Sequence, residues 1–296
     1  MAKLSVEQAL AKAKSHIKRG EVAEAQTLYA TILKAFPNNK KAQQGLNALG
    51  GGRRSAAEQG PPQGVIDQLI NLYHQGKLQS VISHTNQLME QYPTSFVLWN
   101  ILGVANKGMN KIDEATNAFR KVTQLNPNYA DGYSNLGVAL GDQDQLDEAI
   151  RAYEKAINLQ PNFHEAHNNM GTVLRRKGQL EQAINSYKKA ISIKPNYIEA
   201  HNNLGVALAK KDNLREAVAS YQHALLLKPD YAEAYVTMGK ALEIQHKLDE
   251  AIRYYRKAIS IKNDCQQAYE YVGNALRKQD NYLDAISAYS KAIEIQ

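Results

Sequence analysis

The chain has 296 residues, 44% of them hydrophobic, a composition that suits a folded chain and excludes wholesale disorder. Its single cysteine, Cys265, excludes an intrachain disulfide and leaves too few ligands for a cysteine-based zinc or iron–sulfur site. The formal charge of +7 lies entirely in residues 1–54, with ten basic residues against three acidic; the remainder carries 26 of each sign, so the body lacks the basic field of a phosphate-tracking protein.

In chain order, Met1 to Ser5 leads into charged sequence without an apolar core, so no signal peptide is expected. No apolar run is long enough to span a membrane, and a cytoplasmic protein is the default. Residues 6–39 fit a pair of helices, with Ala25, Tyr29 and Pro37 in recurring places; Asn39–Leu49 reads as a lone helix. Gly50–Gly64, rich in glycine and holding Pro61-Pro62, reads as a flexible linker. The expected domains are therefore a basic segment at 1–49, a linker at 50–64 and a repeat array over 65–296. The basic segment carries no aromatic–basic RNA motif or helix-turn-helix signature, so it reads as a solvated face and no nucleic-acid partner is expected.

Downstream, a period of 34 dominates. Glycines stand at 103, 137, 171, 205, 239 and 273, and alanines at 115, 149, 183, 217, 251 and 285. Four residues after each alanine comes Phe119, Tyr153, Tyr187, Tyr221, Tyr255 or Tyr289. Prolines close the copies at 93, 127, 161, 195 and 229, with Asn263 replacing the next. In 130–163, Tyr133, Leu136, Gly137 and Leu140 form one helical stripe; Leu146, Ala149, Ile150, Tyr153 and Ile157 form a second. Asn110, Asp142, Asp144, Asp212 and Asp280 fall between the stripes, where they are expected to cap the second helix.

These residues resemble the tetratricopeptide repeat, a 34-residue helix–turn–helix unit with a Trp, Leu-Gly, Ala, aromatic, Pro pattern. Trp99 holds the Trp position; Tyr133, His167, His201, Tyr235 and Tyr269 replace it later. The copies are 96–129, 130–163, 164–197, 198–231, 232–265 and 266–296, with degenerate copies at 6–39 and at 62–95, in the latter of which Leu69 and Val81 take small-residue places. The resemblance implies an all-α fold, a right-handed superhelix (α-solenoid) of antiparallel helix pairs. One hairpin cannot bury enough apolar area to stand alone, so copies stack and first helices line the inner surface. The chain stops at Ile295-Gln296 inside a second helix, before its proline. That predicts either a longer protein of which this is the N-terminal part, or a partner over the end.

Asn135, Asn169 and Asn203 occupy the sixth place of three successive first helices, with Asn168 and Asn202 beside them. A carboxamide both donates and accepts, so such a column suits the main chain of an extended peptide. It resembles the asparagine ladder of O-GlcNAc transferase and the related SPINDLY proteins over those three repeats; Ile101, Thr237 and Tyr271 depart from it. The amides can equally bond one another or water. Arg175, Arg176 and Lys210, with Lys107, Lys177, Lys211, Arg277 and Lys278, place positive charge late on the first helices; Asp131, Glu165, Glu199 and Glu233 place negative charge early. The pattern fits a groove with one basic side that favours acidic residues, and also ordinary helix-dipole complementation.

No phosphate loop, nucleophile elbow or Cys–His pair is present, and Asp147-Glu148 and Asp249-Glu250 read as solvated. His164, His167 and His201 read as packing residues, so neither metal nor cofactor is expected. The expected function is a non-catalytic scaffold binding a peptide in its groove. Alternatives are the substrate-recruiting arm of a larger enzyme, such as a protein glycosyltransferase, and self-association through the end repeats.

Overall fold

A computed structural model describes residues 5–37, 39–50 and 60–295, apart from the side chains of 47–50. The expected linker at 50–64 lies mostly outside the described residues. Among them the structure is entirely helical: α1 (Val6–Lys18), α2 (Val22–Ala35), α3 (Lys40–Gly50), α4 (Gln63–His74), α5 (Leu78–Gln91), α6 (Phe96–Gly108), α7 (Ile112–Leu125), α8 (Ala130–Asp142), α9 (Leu146–Leu159), α10 (His164–Arg176), α11 (Leu180–Ile193), α12 (Ile198–Lys210), α13 (Leu214–Leu227), α14 (Ala232–Ile244), α15 (Leu248–Ile261), α16 (Gln266–Lys278) and α17 (Tyr282–Glu294). Two compact units form, residues 1–68 with 84–95, and 69–83 with 96–296.

In the first unit, Ser5 and Gln8 close a capping box that satisfies the free amides opening α1. Ala9, Leu10 and Ala13 of α1 pack with Tyr29 and Ile32 of α2, and Ala42 of α3 joins the same core. The α3 helix is thus seated on α2 through Ala42 and Gly45, the latter directly beneath the Tyr29 ring.

The second unit is an α-solenoid of antiparallel helix pairs. Each helix from α6 to α17 packs on the next. Its repeating lock is a glycine under an aromatic ring. A Cβ on Gly137 would lie 2.8 Å from the Tyr153 ring, and one on Gly171 would lie 2.7 Å from that of Tyr187. The same pairs recur as Gly103–Phe119, Gly205–Tyr221, Gly239–Tyr255 and Gly273–Tyr289. Glycine lets two backbones approach, and the ring fills the wedge beside them. The alanines of the second helices, such as Ala149, Ala183 and Ala217, are fully buried against the same seam.

The turn within each pair repeats as strictly. Gly76, Asn110, Asp144, Gly178, Asp212, His246 and Asp280 all take the left-handed conformation, with φ of 59–63° at the non-glycine residues. The following amide bonds back to the first helix, as Gln145 N to the Leu140 carbonyl and Asn213 N to that of Leu208, both at 2.9 Å. These are Schellman closures of the first helix. This corrects the expected capping role. Asn110, Asp144, Asp212 and Asp280 terminate the helix before them; α7, α9, α11, α13 and α15 have no side-chain cap, and α17 has one from Asn281. Asparagine, aspartate and glycine recur because they tolerate this conformation. His246 is the outlier, so His246→Asn should stabilise the protein by about 0.5–1 kcal/mol. A thermal melt checks this, and an unchanged or lower midpoint counts against it.

The fourth position of the first helix also has a fixed task. His167 Nε2 meets the Pro161 carbonyl at 3.1 Å and His201 Nε2 that of Pro195 at 2.8 Å; the Tyr235 hydroxyl donates to that of Pro229 at 3.2 Å. Burial holds the pKa of His167 below its ordinary 6.5, against the opposing pull of the Pro161 bond. The neutral ring is therefore favoured in the folded state. Its contribution is present above about pH 6.5 and is lost as pH falls through that value toward the lower folded pKa. Wild-type melting should fall between about pH 7 and 5, and His167→Tyr should flatten that fall; identical slopes would contradict the assignment.

Candidate functional site

In the second unit α8, α10, α12 and α14 touch one another in succession, and the second helices show no comparable chain of contacts. The first helices therefore lie on the inside of the curve. Clefts of about 250, 190 and 330 Å3 open on this face, between α6 and α8, α8 and α10, and α14 and α16. Each is lined by residues late on neighbouring first helices, such as Val104 with Val138, Asp142 with Arg176, and Lys240 with Asn274.

The asparagine column lies on this face and bonds across repeats with a fixed offset of 35 residues. Asn135 Nδ2 donates to Asn100 Oδ1 and Asn203 Nδ2 to Asn168 Oδ1, each at 3.0 Å. Thr237 Oγ1 donates to Asn202 Oδ1 at 2.8 Å, so the series continues past the asparagines. Asn168 Nδ2 also reaches Asn169 Oδ1 at 3.3 Å. Asn135, Asn169 and Asn203 are half-buried. Asn168 and Asn202 are different: Asn202 is only 1% exposed, and both are buried between repeats. The expectation that they touch a ligand is corrected, because their amides are spent holding the next first helix. Asn100, at the place of Asn168 and Asn202 in an earlier repeat, and Thr237, which carries a hydroxyl in the column, also belong to the network, and the offset of 35 reveals them.

One hydrogen-bonding end of each column residue stays open. The donors of Asn135 and Asn203 are committed while their Oδ1 atoms have no partner among the described residues; on Asn169 the committed atom is Oδ1.

The basic side is smaller than its lysines and arginines suggest. Arg176 donates to the Gly141 carbonyl at 2.7 Å and to Asp144 at 2.9 Å, tying two repeats together. Lys107 pairs with Asp142, Lys177 with Asp147, Lys211 with Glu181 and Lys278 with Glu243. Arg176 is thus a structural tie and not a free ligand contact. Asp147 and Asp249 are exposed, as read from the sequence, and Glu148 partly so, and they also make surface bonds: Asp147 to Lys177, Glu148 to Arg120, and Asp249 from Gln279. Arg120 and Glu148 are each less than half exposed, yet their pair contributes only about 0.2–1 kcal/mol. Lys210 and Arg277 have no ion pair among the described residues. Arg175 is half-buried beside Tyr221, and its Nε is buried without a partner. Burial raises the Tyr221 pKa, and the Arg175 charge pulls the other way.

The 330 Å3 cleft was not anticipated as a site. There Lys240 Nζ sits 5.0 Å over the Tyr271 ring, Tyr271 stacks on Tyr255 at 5.4 Å, and the Tyr255 hydroxyl donates to Glu243 at 2.8 Å. Tyr271 interrupts the asparagine column, which is why the sequence pattern passed over it. Among the described residues no cluster of histidine, cysteine and carboxylate side chains has a metal-holding arrangement, and no helix is long and apolar enough to cross a membrane.

Models of the tetratricopeptide repeat match residues 9–39, 109–144, 130–163, 152–185, 171–212, 196–264 and 236–296. No curated protein matches the chain. Among solved structures, MamA is 31% identical over 54% of this chain and 94% of its own, with a TM-score of 0.49. The Cut9–Hcn1 hetero-tetramer of APC/C is 19% identical, with a TM-score of 0.66 over 99% of this chain; the match spans 53% of that chain. PilF of Pseudomonas aeruginosa is 18% identical, with a TM-score of 0.57 over 64% of this chain and 86% of its own. At such identities the last two share the fold.

Proposed function

Because the chain belongs to the tetratricopeptide repeat family, we propose that it is a non-catalytic interaction scaffold whose inner face binds an extended segment of another protein. The observation that carries this reading is the column at Asn135, Asn169 and Asn203, each half-buried with one end of its carboxamide open. A passing main chain presents alternating donors and acceptors, and a row of half-committed amides meets both. Likeness to the ladders of O-GlcNAc transferase and SPINDLY rests on these three asparagines alone.

Arg175, Lys210 and Arg277 add donors to the same face. Arg175 supports a preference for acidic segments, since its half-buried guanidinium has no ion pair among the described residues. Arg176 stands outside this set, and Asn168 and Asn202 support the face from behind. Peptides selected from a random displayed library against the intact chain test the reading. Binders should be enriched in acidic residues and should weaken on Arg175→Ala while tolerating Lys188→Ala, which lies in a separate cleft between α11 and α13. Binders indifferent to Arg175 and equally sensitive to Lys188 would place the ligand elsewhere.

A further inference from the structure

The outer surface of α13 departs from the other second helices along one stripe. Leu226 is 78% exposed, whereas Gln124, Asn158, Ser192, Ser260 and Glu294 hold its place in the other repeats. His223 stands where each other copy has a lysine, at Lys121, Lys155, Lys189, Lys257 and Lys291. Ala219 replaces the polar set Asn117, Arg151, Asn185, Arg253 and Ser287. Arg215 reverses the charge of Asp113, Asp147, Glu181 and Asp249. At about 100° per residue, Arg215, Ala219, His223 and Leu226 fall within roughly 80° of one another, facing away from the buried Ala217, Tyr221 and Ala224. A cleft of about 280 Å3 opens beside the stripe, walled by Ile191, Leu204 and Leu208, and the His223 ring stacks on His201 at 5.6 Å. Further repeats stand on both sides of α13, so this is an outer surface with its neighbours in place.

The occupant follows from how the stripe pairs with itself. Lay it antiparallel on a second α13, about a two-fold axis between Gln222 and His223, and each residue meets the one equally far beyond that axis. Leu226 then covers Ala219, the smallest side chain of the stripe, and Leu227 reaches over the cleft of the second copy. His223 meets Gln222, where a lysine would crowd two cations about the axis. Arg215 meets Asp230, just past the end of α13, and neither has an ion pair among the described residues. An unrelated apolar partner would account for Leu226 and Ala219. It would not account for a charge reversal at Arg215 matched by a free acid at the symmetric place.

We propose that the outer stripe of α13, from Arg215 to Asp230, is a homodimer contact that receives the same stripe of a second copy about a two-fold axis. Such a contact is isologous, so every pair is made twice, once on each side of the axis. It lies within the array and is independent of what the inner face binds. One helix stripe is small by the standard of permanent interfaces, so the association is concentration-dependent.

Sedimentation equilibrium of the full chain over a range of concentrations tests this. The wild type should move from monomer to dimer. Leu226→Ser and His223→Lys each restore a residue that other repeats carry, so circular dichroism should be unchanged. Each should nevertheless raise the dissociation constant roughly tenfold or more. Arg215→Asp alone and Asp230→Arg alone should weaken the dimer, and the two together in one chain should restore it. The two positions are about 20 Å apart along one chain, so only a contact between copies brings them together. Ile244→Ser, at an exposed apolar residue of α14, should leave assembly as it was. A chain still monomeric at about 0.1 mM, a dimer indifferent to Leu226→Ser, or a double charge variant no tighter than its two parents would each overturn the proposal.

Discussion

Tyr187→Ala is expected to cost about 3–5 kcal/mol, the range for removing a large aromatic side chain from a packed core. The Tyr187 ring is fully buried, lies against the backbone of Gly171, and its hydroxyl donates to Thr172 at 3.2 Å. Its removal leaves a void that glycine, with no side chain to move, cannot fill. The effect should extend beyond one repeat. Each hairpin is stabilised by its neighbours, so a lesion in the middle uncouples the two sides, and a single urea transition should become two. Tyr187→Phe should lose only the hydroxyl bond, about 1 kcal/mol. A loss below about 1 kcal/mol for the alanine variant would contradict the lock described for the whole array.

The second large effect concerns the column. Replacing Asn135, Asn169 and Asn203 together with alanine is expected to weaken peptide capture at least about tenfold, equivalent to one or two lost hydrogen bonds. From sequence alone the same replacement would leave melting nearly unchanged. The structure alters that expectation. Asn203 supplies a hydrogen bond to the buried Asn168 Oδ1 and Asn135 one to Asn100, so the triple variant also strands acceptors and should lose about 1–3 kcal/mol. Affinity measured well below the melt separates the two effects, and an unchanged affinity there removes the column from the binding site.

The period of 34 made most of the fold legible before any coordinates. Glycine, alanine and aromatic recur in register because each is locked to the others by close packing, and a lock tolerates little drift. Polar contacts between repeats were harder to read. They join residues 28 to 35 apart on helices whose pairing has no sequence signal of its own. Asp147 and Lys177 therefore looked like two separate surface charges, and Arg176 like a free one. His246 hid the left-handed turn because histidine is an uncommon choice there. Asn168 and Asn202 could not be told from their neighbours Asn169 and Asn203, since adjacent helical positions differ by about 100° and either can face inward.

The central claim is that first helices stacked in register present one continuous binding face. A photo-crosslinking residue placed in turn at Val206 on the inner face and at Lys188 in the separate cleft, each with a selected peptide bound, tests it most directly. The peptide should crosslink from Val206 and not from Lys188. Crosslinking from Lys188 alone would contradict the account.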